Sequence, residues 1–273
     1  MRHSRIIVLL FAVFAAASAC KSQFEILLAS NDVESKYKAA MEYYANGKYQ
    51  KSGQLFESLS VLANGTERDD SVQFYWAMSN YKFKDYVSAE TNFTSFIEHF
   101  PGSVFTEEAK FLKLDCMFRG TYRYELDQTP TYKAITAISE FMIEYPGSDK
   151  VEICKKMLEE LGLRLDKKAY ENARLYYRME DYKAARVALM NVLKDDSDNV
   201  YREEILYLIA MSSYKYALQS VTTKQHERFL SFVDDYLNFV GEFPESKHKQ
   251  ELDPLYRKVQ KNIETSSSGS SVK

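Results

Sequence analysis

The chain has 273 residues and a formal net charge of −3, and 45% of its residues are hydrophobic. Only 9 Gly and 5 Pro interrupt it, whereas 21 Tyr and 17 Phe supply large fillers with a polar edge. That balance excludes a disordered chain, favours helices over a loop-rich domain, and leaves no basic footprint for nucleic acid.

At the start, Arg2 and Arg5 precede the apolar run Ile6 to Ala17, which is too short to span a bilayer and reads as an export signal over residues 1–19. Ala17-Ser18-Ala19 is itself a small-residue cleavage site, while Ser18-Ala19-Cys20 has the form of a bacterial lipoprotein signal. We take the lipoprotein reading: Cys20 becomes the first mature residue and carries a covalent lipid, such as palmitate, and residues 20–31 form the lipid-anchored tether. Loss of Arg2 and Arg5 with the signal moves the formal charge from −3 to −5.

Beyond the tether the pattern is one of helix pairs. Tyr37, Ala40, Met41 and Tyr44 recur at helical spacing, Asn46-Gly47-Lys48 breaks the run, and Ser52, Leu55, Phe56 and Leu59 resume it. Trp76, Ala77 and Tyr81, the turn Lys84-Asp85-Tyr86, and Ala89, Phe93 and Phe96 repeat the plan. A third pair runs from Ala109, Leu112 and Cys116 through an enlarged turn, Tyr122 to Thr129, into Ala134, Ile138 and Phe141. From Ile153 to Arg178 the apolar period continues without a breaker, predicting one long helix that joins the two halves. Ala185 and Leu189, then Ile205 to Tyr216 and Phe229 to Phe239, complete the later pairs, and Lys249 to Ile263 reads as an amphipathic cap.

One turn recurs as Phe100-Pro101-Gly102-Ser103, Tyr145-Pro146-Gly147-Ser148 and Phe243-Pro244-Glu245-Ser246. The aromatic closes a helix, the proline prevents its continuation, and the serine is placed to cap the next. An unmarked equivalent is expected at Asp195-Asp196-Ser197-Asp198. The predicted fold is all-α: a right-handed α-solenoid of about five tetratricopeptide-like helix pairs plus a C-terminal capping helix. Repeats 1–3 occupy residues 32–146, repeats 4–5 and the cap occupy residues 147–263, and the serine-rich residues 264–273 form a disordered tail.

No reaction chemistry stands out. His3, His99, His226 and His248 are scattered without metal-ligand or triad spacing, and the carboxylates lie among Lys and Arg on polar faces. We therefore assign no catalytic residue, no metal and no cofactor other than the lipid on Cys20, and we read the chain as a non-enzyme. Cys116 and Cys154 read as two small buried hydrophobes in separate units rather than a disulfide. Two sets of side chains are candidates for binding. Tyr43, Tyr44, Tyr75 and Tyr81 either line a groove for an extended client peptide or pack between helices. Arg174, Arg178, Arg186 and Arg202 cluster around the fourth repeat, where they either pair with acidic groups of a partner or decorate a solvated face.

The lipoprotein signal, the aromatic-Pro-Gly-Ser closures, the enlarged turn with Asp127, Thr129 and Pro130, and above all the stretch Ala173 to Ala185 together resemble the BamD family. These are lipoproteins of the outer-membrane β-barrel assembly machinery. Where that family often places an arginine in the second helix of the fourth repeat, this chain has Ala188, with Arg186 two residues earlier. The resemblance implies an arm anchored in the outer membrane on its periplasmic face, which would bind the periplasmic domains of the barrel-forming BamA subunit through its C-terminal half. Its N-terminal half would receive unfolded β-barrel clients, and other assembly lipoproteins could join. Two other functions fit an exported repeat protein: a periplasmic adaptor for division or peptidoglycan enzymes, and a glycan-binding surface lipoprotein.

Overall fold

The computed structural model describes residues 23–269, with side chains to Glu264. The expected export signal (residues 1–19) and the expected lipidation site at Cys20 lie outside the described residues. Among those described, the chain forms twelve α-helices and no strand: α1 (Gln23–Ala29), α2 (Val33–Ala45), α3 (Tyr49–Leu62), α4 (Asp69–Lys82), α5 (Tyr86–His99), α6 (Thr106–Arg119), α7 (Thr129–Glu144), α8 (Val151–Arg178), α9 (Tyr182–Asp195), α10 (Arg202–Leu218), α11 (Thr222–Glu242) and α12 (Lys249–Gly269). The fold is all-α, built of tetratricopeptide-like helix pairs, and no described helix is long and apolar enough to cross a membrane.

Contacts divide the chain into two compact units, the first comprising residues up to Tyr122 with Thr129–Met157, the second Arg123–Gln128 with Leu158 onward. The division falls inside α8, downstream of the expected boundary at Pro146, because α8 runs unbroken for 28 residues.

Within pairs the chain turns the same way three times. Gly47, Lys84 and Glu180 all have left-handed backbones, with φ of 72°, 69° and 62°. In each turn the next amide reaches back to the helix just ended: Lys48 N to Tyr43 O, Asp85 N to Asn80 O, and Asp181 N to Tyr176 O, at 2.8, 3.0 and 3.1 Å. Each turn is also clasped by an edge-on tyrosine couple, Tyr44–Tyr49, Tyr81–Tyr86 and Tyr177–Tyr182, with centroids 5.5, 5.7 and 5.5 Å apart.

Between pairs a second joint recurs five times, at Thr66, Ser103, Ser148, Asn199 and Ser246. Each side-chain oxygen accepts the N–H two residues on, and each carbonyl accepts the N–H three residues on. The serines therefore act differently from the expected helix caps. They shape the turn, and two of them donate back to the preceding pair, Ser103 Oγ to Asp70 at 2.8 Å and Ser148 Oγ to Glu107 at 2.6 Å. Asn199 and Thr66 take this place in the two turns that lack the aromatic-proline mark.

Two expectations about the ends are corrected. Residues 23–29, expected within the tether, form α1, because Phe24, Leu27 and Leu28 pack on the core of Ala40, Leu55, Phe56 and Leu59. The fully buried Lys36 fixes the end of α1 by donating to Leu28 O at 3.0 Å and to Ser58 Oγ at 2.7 Å. At the other end the backbone stays helical through Gly269 rather than fraying from residue 264, since extending a formed helix costs far less than starting one. The core of the second unit gathers Tyr170, Ala173, Leu189, Ile205, Ile209, Phe232, Phe239 and Leu252.

Candidate functional site

The four candidate tyrosines all lie in the first unit and are half-buried. Tyr43 on α2 packs edge-on against Phe24, and Lys48 and Lys51 lie over its ring at 5.8 and 5.6 Å. Tyr44 touches Tyr49 within its own pair and Tyr75 of α4 across the pairs, at 5.4 Å. Tyr75 is stacked on Phe56 and edge-on to Phe105. Tyr44 and Tyr75 thus belong to one aromatic cluster across α2 and α4, whereas Tyr43 packs separately on Phe24 of α1. Burial among the neighbouring rings pushes the Tyr44 hydroxyl up to about 12, so it stays neutral at any physiological pH.

Tyr81 serves a different purpose. Its hydroxyl donates to Asp115 Oδ2 at 2.6 Å, and the Arg119 guanidinium holds the same carboxylate while lying 5.3 Å over the Tyr86 ring. Asp115 is 4% exposed, so the tyrosine hydroxyl and the arginine are what allow a carboxylate to be buried there. Sequence periodicity placed Tyr81 on a helix face but could not reveal Asp115, one repeat later, as its partner. The two cysteines expected to be small buried hydrophobes are both buried and free, and burial pushes the Cys116 thiol up to about 12.

In the second unit the four arginines separate. Arg186 makes a two-pronged pair with Asp235 of α11, Nε to Oδ2 at 2.7 Å and Nη2 to Oδ1 at 2.9 Å, which also raises the arginine's own pKa. Arg202 is likewise held by both oxygens of Glu242 and by Ser197 O at 2.8 Å. Arg174 and Arg178 share Glu171 at 3.2 and 3.7 Å, and Arg178 keeps 55% of its side chain exposed. Of the four arginines, Arg178 is thus the most exposed, with Arg174 beside it. Leu175, Tyr176 and Met179 around them are also exposed.

A strap in this unit carried no sequence signal. Lys168 of α8 donates to the carbonyls of Tyr124 and Leu126, at 2.9 and 2.8 Å, while Lys167 lies 4.6 Å over the Tyr124 ring. The enlarged turn is thereby tied down along α8. Among the described residues no group of three or more His, Cys, Asp or Glu is placed to hold a metal ion.

Serial helix pairs, with clustered tyrosines in one unit and basic side chains in the other, define a helical repeat protein. The chain belongs to the YfiO family of outer membrane lipoproteins, whose model matches residues 29–228. It is 26% identical over 204 residues to a putative outer membrane protein assembly factor BamD of Aquifex aeolicus (strain VF5), covering 74% of this chain and 64% of that protein. The chain thus spans just under two thirds of the length of that relative. Among solved structures, similarity is found to a thermophilic TPR protein of Thermus thermophilus (13% identity, 84% of this chain, 98% of that one, TM-score 0.33). The TPR2AB domain of yeast Sti1, solved in complex with pHSP90, is similar at 12% identity over 84% of this chain and 98% of that one, with a TM-score of 0.38.

Proposed function

We propose that this protein is an outer-membrane lipoprotein scaffold of the β-barrel assembly machinery, held on the periplasmic face by acyl chains, palmitate among them, on Cys20. It binds a BamA-like barrel subunit and unfolded β-barrel clients and promotes their folding and insertion without making or breaking bonds. The observation that carries this reading is the family match over residues 29–228, joined by the relative described as an assembly factor. In our reading the exposed edges of Tyr43, Tyr44 and Tyr75 receive client chain, since rigid rings grip an extended segment at low entropy cost. The barrel subunit docks on the exposed end of α8 at Arg174 and Arg178. Arg186 and Arg202 shape that face from within through their ion pairs.

Depletion in the native host tests the reading. Loss of β-barrel proteins from the outer membrane supports it; normal barrels with a division defect would point to an envelope adaptor instead. Charge reversal of Arg178 is expected to weaken co-purification of the barrel subunit while leaving the fold intact.

A further inference from the structure

α1 is docked at both ends, and its direction decides which part of the first pair lies nearest the start of the chain. At the C-terminal end of α1, the fully buried Lys36 of α2 donates to Leu28 O at 3.0 Å and to Ser58 Oγ at 2.7 Å. At its N-terminal end Phe24 lies edge-on to Tyr43, with ring centroids 5.7 Å apart, and Lys51 Nζ stands 5.2 Å over the Phe24 ring. Tyr43 and Lys51 flank the turn Asn46-Gly47-Lys48, so α1 begins at the end of the first pair that carries this turn. Lys48 and Lys51 are exposed there, and no acid occurs from Ala45 to Gln54. Midway along α1, Ile26 is 58% exposed, although Leu27 and Leu28 beside it pack on the core.

We propose that this end of the first pair, with Ile26, Lys48 and Lys51, lies on the phosphate headgroups of the bilayer that holds Cys20, so that the first pair meets its membrane in a fixed orientation. The inference rests on the reading of Cys20 as the acylated residue. Cys20 is three residues before Gln23, a reach of about 10 Å even when fully extended. The headgroup layer is itself about 5–8 Å deep on each side of the hydrocarbon. A free tether running to residue 31 would instead allow about 40 Å, enough for the first pair to turn any way. Docking of α1 removes that freedom, and the Lys36 clamp carries the turn of Lys48 to the interface with it. The side chains suit the place. An exposed isoleucine enters the acyl boundary while two ammonium groups meet phosphate, each favouring an anionic surface by about fivefold. The one acid of α1, Glu25, leaves the lysines in excess.

Cys116 and Cys154 are both buried, so a cysteine introduced at the surface takes a label alone. The acylated full chain with Ile26→Cys is labelled with a small fluorophore and reconstituted in vesicles of phosphatidylethanolamine and phosphatidylglycerol, a fraction of them bearing nitroxide on the headgroup. Val104→Cys, at a 90% exposed position between the second and third pairs, serves as the reference. The label at position 26 should be quenched by the nitroxide lipid and shielded from aqueous iodide, with the reverse at position 104. Lys48→Gln/Lys51→Gln should lower the surface-lying population about twenty-fivefold and return the label to iodide. An unchanged quenching pattern in that double variant would refute the part given to the lysines. If position 26 is as open to iodide as position 104, the surface faces water and the proposal falls. Shielding from iodide without nitroxide quenching would mean that protein covers it, which also overturns the proposal. Intact mass of the same preparation judges the anchor separately. A Cys20 without acyl chains overturns the lipoprotein reading and this inference with it, whereas an acylated chain with position 26 in water overturns the contact alone.

Discussion

Arg186 sits in the basic cluster around the fourth repeat, yet its substitution should register first as lost stability. Its guanidinium on α9 grips Asp235 on α11 with two bonds, and Ser213 of α10 donates to the same carboxylate, so three helices meet at one acid. The Asp235 side chain is 11% exposed and that of Arg186 30%. Removing one partner of a fully buried pair costs about 3–5 kcal/mol, because the other charge is left uncompensated. Here the arginine is partly solvated and Ser213 remains, so we expect about 2–3 kcal/mol for Arg186→Ala. Arg202→Ala should cost under about 1 kcal/mol, since Arg202 and Glu242 are both one-third exposed and such pairs are screened. With a urea slope of about 2 kcal/mol/M, the Arg186→Ala midpoint should fall by about 1 M or more. Repeat chains can open unit by unit, so amide exchange in α9, α10 and α11 should be followed alongside and should accelerate together. Arg186→Lys, which cannot make the two-pronged contact, should recover only part of the loss. Equal midpoints for Arg186→Ala and Arg202→Ala would refute the reasoning, and Arg186 would then count as a docking residue.

The same logic extends to three other places. Tyr81→Phe removes one of the two supports of buried Asp115 and should cost about 1–2 kcal/mol in the first unit, whereas Tyr37→Phe, whose hydroxyl is 3.5 Å from Ser71, should be nearly neutral in the same denaturation assay. Burial lifts the hydroxyls of Tyr44 and Tyr236 from 10.0 to about 12. The unfolded chain therefore loses these protons first, so stability should be full below about pH 10 and fall as pH rises through about 12, measurable by tyrosinate absorbance and unfolding midpoints. Lys168→Met frees the carbonyls of Tyr124 and Leu126, and trypsin should then cut at Arg123 faster than in the parent chain while far-ultraviolet helicity is retained.

The helix pairs were legible because each rests on local information. Apolar residues at helical spacing, the Asn46-Gly47-Lys48 break and the aromatic-proline closures need no knowledge of distant partners. What escaped was carried by contacts one repeat or more away. Asp115 is 34 residues from Tyr81, Asp235 is 49 from Arg186, and Lys168 is 44 from Tyr124. Periodicity says only which face a residue occupies. It cannot separate an arginine spent on an internal carboxylate, as Arg186 is, from one left largely exposed, as Arg178 is. α1 was missed because seven residues give too few turns for a period to show.

The turns within pairs allow a cleaner test, because three equivalent positions hold three different residues. Gly47, Lys84 and Glu180 share the left-handed conformation, which costs a residue with a side chain about 1–2 kcal/mol more than glycine. Glycine in turn makes the unfolded chain more flexible by about 0.4–1 kcal/mol. Lys84→Gly and Glu180→Gly should therefore gain up to about 1 kcal/mol, and Gly47→Ala should lose about as much. A Cβ built on Gly47 meets nothing within 4 Å, so no clash contributes and the loss reports the backbone alone. Helix capping stays intact in all three variants, because the amides of Lys48, Asp85 and Asp181 keep their bonds to the helix before. Urea midpoints of the three variants against the parent chain give the answer. A neutral Gly47→Ala, or a destabilised Lys84→Gly, would mean that the turns are set by the tyrosine couples beside them and that the left-handed residue merely follows.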